Sequence, residues 1–305
     1  MEVTILGNNS AVPAHHRHPT SQVVKIKHYA FLLDCGEGTQ MRMIDFSVRR
    51  SKIQHIFISH LHGDHFFGLP GVVTSFNHMG RQEPLHIYGP HGLKDILDLI
   101  LQLGDVPLQF ELVVHELQPG LQLLIQHADY EIWSFPLQHR IPTWGFLFKE
   151  LFSRPNVIKA YIDEFGLSIA NIKDLKAGLD VVLPDGRVIT TREATTPPPP
   201  AQVYAYCSDT VFDESLAEHI RGADLLYHES TFTEDLADKA AMTKHSTAAQ
   251  AARLAALAGV KQLLLGHYSS RFGDLSPLLE EAGKLFPNTQ LSIEGQTYST
   301  VPPKK

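Results

Sequence analysis

The chain has 305 residues, of which 43% are hydrophobic and 19% charged. This composition supports a sizeable core and excludes an intrinsically disordered chain, and no apolar run reaches the ~18 residues of a membrane span. The net charge of −7 argues against capture of nucleic acid by bulk positive charge. The two cysteines, Cys35 and Cys207, cannot build a disulfide scaffold. The opening residues lack a basic stretch followed by an apolar one, so a cytoplasmic location with no membrane partner is expected.

In chain order, short apolar runs rich in β-branched residues recur at 3–7, 29–35, 55–59, 85–89, 130–135, 203–207, 224–227, 261–265 and 291–294. Each has strand length. Leu93, Ile96, Leu97, Ile100 and Leu101 fall on one helical face. Ser246 or Thr247 can cap a helix over 248–258 that Gly259 ends. Strands interleaved with helices predict a layered α/β domain, and no linker divides the chain, so residues 1–305 are read as one domain. Residues 149–178 read as an insertion with helical character around 157–165 and a net charge of +1. The prolines at 197–200 predict an extended loop over 195–200.

The chemistry is concentrated in His60-Leu61-His62-Gly63-Asp64-His65, directly after the apolar run 55–59. Three imidazoles and a carboxylate in six residues repel one another if protonated and cost desolvation if buried; a divalent cation removes both problems. Nitrogen and oxygen donors without thiolate suit Zn²⁺, with Mn²⁺ or Fe as alternatives. So short a loop fits two adjacent ions better than one, and Gly63 permits the tight backbone. Further donors stand at other strand ends: His139, Asp209 and His267. Each sits where a strand passes into a loop, the usual place for site residues on such a scaffold.

These residues resemble the metallo-β-lactamase superfamily and, within it, the short form of the ribonuclease Z family of tRNA 3′-processing endonucleases. The resemblance spans nearly the whole chain. It rests on Phe31-Leu32-Leu33-Asp34-Cys35-Gly36-Glu37-Gly38-Thr39-Gln40, the 60–65 run, His139, Ser208-Asp209-Thr210, His228-Glu229-Ser230-Thr231, His245-Ser246-Thr247 and Gly266-His267-Tyr268. It implies an αββα four-layer sandwich in which 149–178 forms a short inserted arm that binds tRNA. The activity implied is that of a zinc-dependent endoribonuclease. It removes the 3′ trailer from precursor tRNA, leaving a 3′-hydroxyl on the tRNA and a 5′-phosphate on the trailer.

The resemblance also implies two zinc ions per subunit. His60, His62 and His139 would hold one, Asp64, His65 and His267 the other, with Asp209 between them and Asp34 hydrogen-bonded to a ligand histidine. His245 paired with Glu229 would deliver a proton to the departing ribose oxygen, and Asp64 would double as a base. Ser246 and Thr247 would hold a phosphate, Arg17 would touch RNA, and the chain would pair as a homodimer. Arg49, Arg50, Lys52 and Arg81 are further candidate phosphate contacts. Two departures stand out. Pro13-Ala14-His15-His16-Arg17-His18 replaces the family's Pro-x-Lys-x-Arg-Asn, and the arm lacks the family's Gly-Pro signature. The alternatives are another phosphodiesterase or lactonase on the same scaffold, or a non-catalytic RNA-binding scaffold.

Overall fold

Many strands of this chain are apolar on both faces, and that dictates a layered arrangement in which each sheet is covered twice. Within the strand Ile53–Phe57, Ile56 packs outward beneath helices while Phe57 points to the facing sheet. The computed structural model describes residues 1–151, 154–198 and 200–301. It contains two seven-stranded mixed sheets. The first runs in the order Thr297–Ser299, Glu2–Gly7, Ser21–Ile26, Tyr29–Leu33, Ile53–Phe57, Leu85–Gly89 and Leu112–Glu116. The second runs Thr289–Leu291, Leu263–Gly266, Leu225–Glu229, Gln202–Cys207, Thr143–Glu150, Tyr130–Leu137 and Gln122–Gln126.

Aromatic residues fill the space between the sheets: Phe31, Phe57, Phe146, Phe148, Tyr204, Tyr206 and Tyr227 are all buried there. Helices Leu69–His78 and Leu93–Leu103 seal the outer face of the first sheet through Val72, Phe76, Leu97 and Leu101. Helices Ala248–Ala258 and Ser276–Leu285 seal the second through Ala251, Leu254, Ala255 and Leu278. The result is the αββα sandwich expected. Helix Ala248–Ala258 begins with Thr247 as its cap in a reciprocal capping box with Gln250, and ends on Gly259 at φ 62°, a left-handed position that suits glycine.

The layers bring several chain ends to one edge. Strands Tyr29–Leu33, Ile53–Phe57, Leu85–Gly89 and Leu112–Glu116 are parallel, as are Gln202–Cys207, Leu225–Glu229, Leu263–Gly266 and Thr289–Leu291. Two antiparallel pairings give Tyr130–Leu137 the direction of Gln202–Cys207. The carboxyl ends of these strands are the ordinary location of a site in open α/β sheets.

The inserted unit differs from its expected extent. Thr143–Glu150 continues as a strand of the main sheet to residue 150, and the insertion closes on itself only where Asn156–Val157 pairs with Thr195–Thr196. Between them, helices Lys159–Phe165 and Ile169–Lys176 and the small ribbon Val181–Val182 with Val188–Ile189 surround Leu167, Leu175, Val181, Ile189 and Ala194. Thr195 and Thr196, expected in a proline-rich loop, are therefore the second strand at the base of this unit. The edge strand of the second sheet is also displaced from its expected place, running over Thr289–Leu291 rather than 291–294.

Candidate metal centre and its cleft

The strand Ile53–Phe57 delivers Ser59 and His60, and a one-turn helix, Gly63–Phe66, delivers Asp64 and His65. His139, Asp209 and His267 arrive from the ends of three strands of the facing sheet. Three overlapping donor sets result: His60, His62, His139 and Asp209 form the first, Asp64, His65 and His267 the second, and Asp209, His245 and His267 a third that shares members with both and adds His245.

In the first group His62 Nδ1 lies 3.1 Å from both His60 Nε2 and His139 Nε2. Asp209 Oδ2 lies 3.5 Å from His60 Nε2 and 3.7 Å from His139 Nε2. In the second, His65 Nε2 and His267 Nε2 are 3.2 Å apart, and Asp64 Oδ2 lies 3.5 and 3.4 Å from them. The other oxygen of Asp209 faces this group, 3.3 Å from His65 Nε2 and 3.1 Å from His267 Nε2. Tetrahedral ligands about 2.0 Å from a zinc ion stand about 3.3 Å from each other, so both groups have the edge lengths of a zinc polyhedron. Asp209 is divided between them, one oxygen to each.

In four of the five rings the other nitrogen is already engaged. His139 Nδ1 donates to the Lys244 carbonyl at 2.7 Å. His65 Nδ1 lies 2.7 Å from Asp34 Oδ2, His60 Nδ1 lies 3.0 Å from the Ser59 hydroxyl, and His267 Nδ1 lies 3.0 Å from the Thr231 hydroxyl. This fixes the ring orientations and turns the Nε2 atoms inward, the arrangement that metal-binding histidines require. Asp34 is fully buried. It accepts hydrogen bonds from Ser59 N at 2.7 Å, the Ser59 hydroxyl at 2.8 Å and the Tyr206 hydroxyl at 2.6 Å. Its contact with His65 is the one expected of it.

The cage residues favour positive charge among them. Burial works against a charged His65, but the carboxylates of Asp209, Asp64 and Asp34 hold its pKa well above the ordinary imidazole range. Burial and His65 together push His60 down to about 4, with Asp209 opposing. Asp209 lies far below the usual carboxylate range; burial opposes this, and His267, His65 and His60 override it. Converging imidazole nitrogens around buried carboxylates fit divalent cations by charge as well as by distance.

His245 stands beside the cage. Its Nδ1 is 2.9 Å from Glu229 Oε1 and 3.9 Å from Asp209 Oδ2. Glu229 is fully buried and also accepts from the Thr210 N–H at 2.8 Å and the Thr231 hydroxyl at 2.6 Å. Burial opposes charge on His245, but the Glu229 carboxylate raises its pKa to about 9. The same pairing holds Glu229 below the usual carboxylate range despite its burial. His62, Asp64, His139, Asp209 and His245 line a cleft of about 650 Å³ walled also by Ala11, Val12, Phe67, Arg140, Ser270 and Arg271 among others.

Several expected RNA contacts are otherwise employed. The Ser246 hydroxyl is buried and donates to the Thr210 carbonyl at 2.7 Å, and the Thr247 hydroxyl caps Gln250 and donates to Glu234 at 2.6 Å. Arg17 donates from Nε to Asn9 at 2.9 Å and from an Nη to the Phe272 carbonyl, tying down the loop that carries Ala11. His15, in the place of the family's lysine, reaches the Ser270 carbonyl at 2.9 Å. Arg49, Arg50 and Lys52 precede the strand Ile53–Phe57 while His60 follows it, which puts them at the opposite edge of the sheet. Arg81 folds onto the carbonyls of Ile53, Glu83 and Pro84.

Sequence reasoning did not single out Ser59, Tyr206, Lys244, Arg140, Arg271 or Phe67. Ser59 adjoins His60 and Arg140 adjoins His139, so adjacency to a ligand was the available signal for those two. Tyr206 had none, because its partner lies on the other sheet.

Comparison with known proteins agrees with this geometry. Residues 1–112, which include the 60–65 turn, match the family described as Anti-Pycsar protein Apyc1. The crystal structure of a metallo-beta-lactamase fold protein, YhfI from Bacillus subtilis, aligns with a TM-score of 0.68 at 19% identity, covering 98% of this chain and 99% of that one. Human tRNase Z, short form, aligns with a TM-score of 0.72 at 28% identity, covering 99% of this chain and all of that one. Ribonuclease Z of Bacteroides fragilis is 43% identical over 300 residues, 98% of each chain. With that identity sustained over almost its entire length, the chain belongs to the ribonuclease Z family.

Proposed function

We propose that this protein is a tRNA 3′-processing endoribonuclease that hydrolyses the phosphodiester joining the tRNA to its 3′ trailer. The observation that carries the reading is the divided cage, in which one oxygen of Asp209 faces each of two donor groups. Zinc is the cofactor that this donor set fits best, with His60, His62 and His139 holding one ion, Asp64, His65 and His267 the other, and Asp209 shared. Two such ions supply, when bound, positive charge against both the attacking and the leaving oxygen of an in-line displacement and a lowered pKa for water.

The chain's own residues do the rest. Asp34, Ser59, Thr231 and the Lys244 carbonyl hold the ligand rings in place. Glu229 holds His245 by Nδ1, which leaves the Nε2 proton free to pass to the departing ribose 3′ oxygen as a general acid. Asp64 accepts from the Ala11 N–H at 2.7 Å, which ties the cleft's outer loop to the cage. A homodimer in the cytoplasm, with the inserted unit contacting tRNA, completes the reading. The test is a cleavage-site map on a precursor tRNA beside a small bis-aryl phosphodiester. A single cut at the trailer junction leaving a 3′-hydroxyl on the tRNA supports the reading, and turnover of the small ester alone defeats it.

A further inference from the structure

Phe67 is 66% exposed, and among the described residues no other phenylalanine or tryptophan is so open to solvent. Its neighbour Phe66, by contrast, is 6% exposed. Phe67 closes the one-turn helix that carries Asp64 and His65, with its N–H donating to the Gly63 carbonyl at 2.9 Å. The ring lies so close over Gly63 that a Cβ there would meet its atoms at 2.2–2.6 Å. Phe66 braces it from the side, 5.1 Å away at an interplanar angle of 62°. The ring is thus fixed relative to the cage and borders the cleft. Arg140 and Arg271 border the same cleft, both exposed, and neither has an ion-pair partner among the described residues.

A fixed, solvent-facing aromatic ring with free guanidinium groups nearby is the combination that recognises an unpaired nucleotide, the ring by stacking on the base and the guanidinium by pairing with phosphate. We infer that Phe67 is the stacking platform for the unpaired base next to the scissile phosphate, and that Arg140 and Arg271 take the phosphates flanking it. The inference rests on the RNA-cleaving reading above and adds a base-binding residue to it. It also gives Gly63 a second purpose, since any side chain there would displace the ring.

The experiment compares Phe67→Ala, Phe67→Leu and Phe67→Trp on a precursor tRNA. It also titrates the tryptophan variant with a short single-stranded RNA spanning the cleavage site. Alanine and leucine are expected to raise KM by about 5- to 150-fold, the range for loss of one base–aromatic stack, with kcat moving less. Tryptophan is expected to stay within about threefold of the parent, and its emission to be quenched by the RNA. Leucine performing as well as tryptophan, a loss confined to kcat, or a change in sedimentation of the alanine variant would overturn the inference. The last of these would mark the ring as a protein contact. Failure of the unaltered chain to cut precursor tRNA would instead contradict the functional reading, and the quenching titration would then decide the role of Phe67 by itself.

Discussion

The cage and the inserted unit Asn156–Thr196 are built on opposite terms. In the cage three of the five imidazoles are set by partners distant in the chain: His65 by Asp34, His139 by Lys244, His267 by Thr231. Removing it would disturb both sheets. The inserted unit is closed by its own two-stranded base and its own small core around Leu167, Leu175 and Ile189. It also carries five basic and six acidic residues between 156 and 196, so it offers a phosphate backbone no electrostatic footprint. One region is over-determined and charge-hungry; the other is self-contained and electrically neutral to within one charge. Chemistry is therefore assigned to the first, and only shape-based binding to the second.

The largest effect expected is from Asp209→Ala. It should take turnover to background and release metal from both halves of the cage, as read by metal analysis of the purified variant; retention of two ions would break the idea of a shared carboxylate. His245→Ala should slow cleavage by ~10²–10⁴, the range for a general acid, with metal content unchanged. Loss of zinc in that variant would make His245 a ligand. Excising 158–194 while keeping the strand pair at its base should raise KM for precursor tRNA by about tenfold or more and leave small phosphodiesters alone, since remote contacts contribute binding energy. Equal losses on both substrates would mean that the unit supports the cage after all.

A smaller effect lies in the first sheet, on the strand Ile53–Phe57 that leads to His60. His55 stacks on His86 at 5.1 Å, and burial, then His86 and His115, push its pKa down to about 4. Its folded value lies below the ~6.5 of an unfolded histidine, so the unfolded chain binds the extra proton. Stability from this site is complete above pH ~6.5 and is lost as pH falls towards 4, amounting to at most about 3 kcal/mol. His55→Gln should therefore narrow the gap between Tm at pH 7.5 and at pH 5, whereas an unchanged gap would show that His55 does not titrate on folding.

Much of the site was legible because its donors are nitrogen and oxygen atoms repeated in one topological slot, the carboxyl end of a strand. The seven candidate metal donors, along with Asp34, Glu229 and His245, which the fold brings together, could be named from that pattern together with the family resemblance. What the sequence did not carry was the competition for hydrogen bonds. Ser246, Thr247, Arg17 and Arg81 have the right chemistry for phosphate, but each has a nearer partner in the fold. The strands Ser21–Ile26, Leu112–Glu116, Gln122–Gln126 and Thr143–Glu150 do carry apolar runs, Val23-Val24, Leu112-Val113-Val114, Leu123-Leu124-Ile125 and Phe146-Leu147-Phe148, and were legible in the sequence although the expected strands passed over them. The inserted unit was cut short at 178 because Val181, Ile189 and Ala194, spaced far apart, reveal themselves as core only when the chain has turned back.

The central claim is that two cations sit side by side with Asp209 between them. Anomalous diffraction at the zinc edge from crystals of the purified protein tests it most directly. The account predicts two peaks about 3.5–4 Å apart, one beside His60, His62 and His139 and one beside Asp64, His65 and His267, with an oxygen of Asp209 on each. A single peak, or zinc bound elsewhere with these side chains turned away, would contradict it.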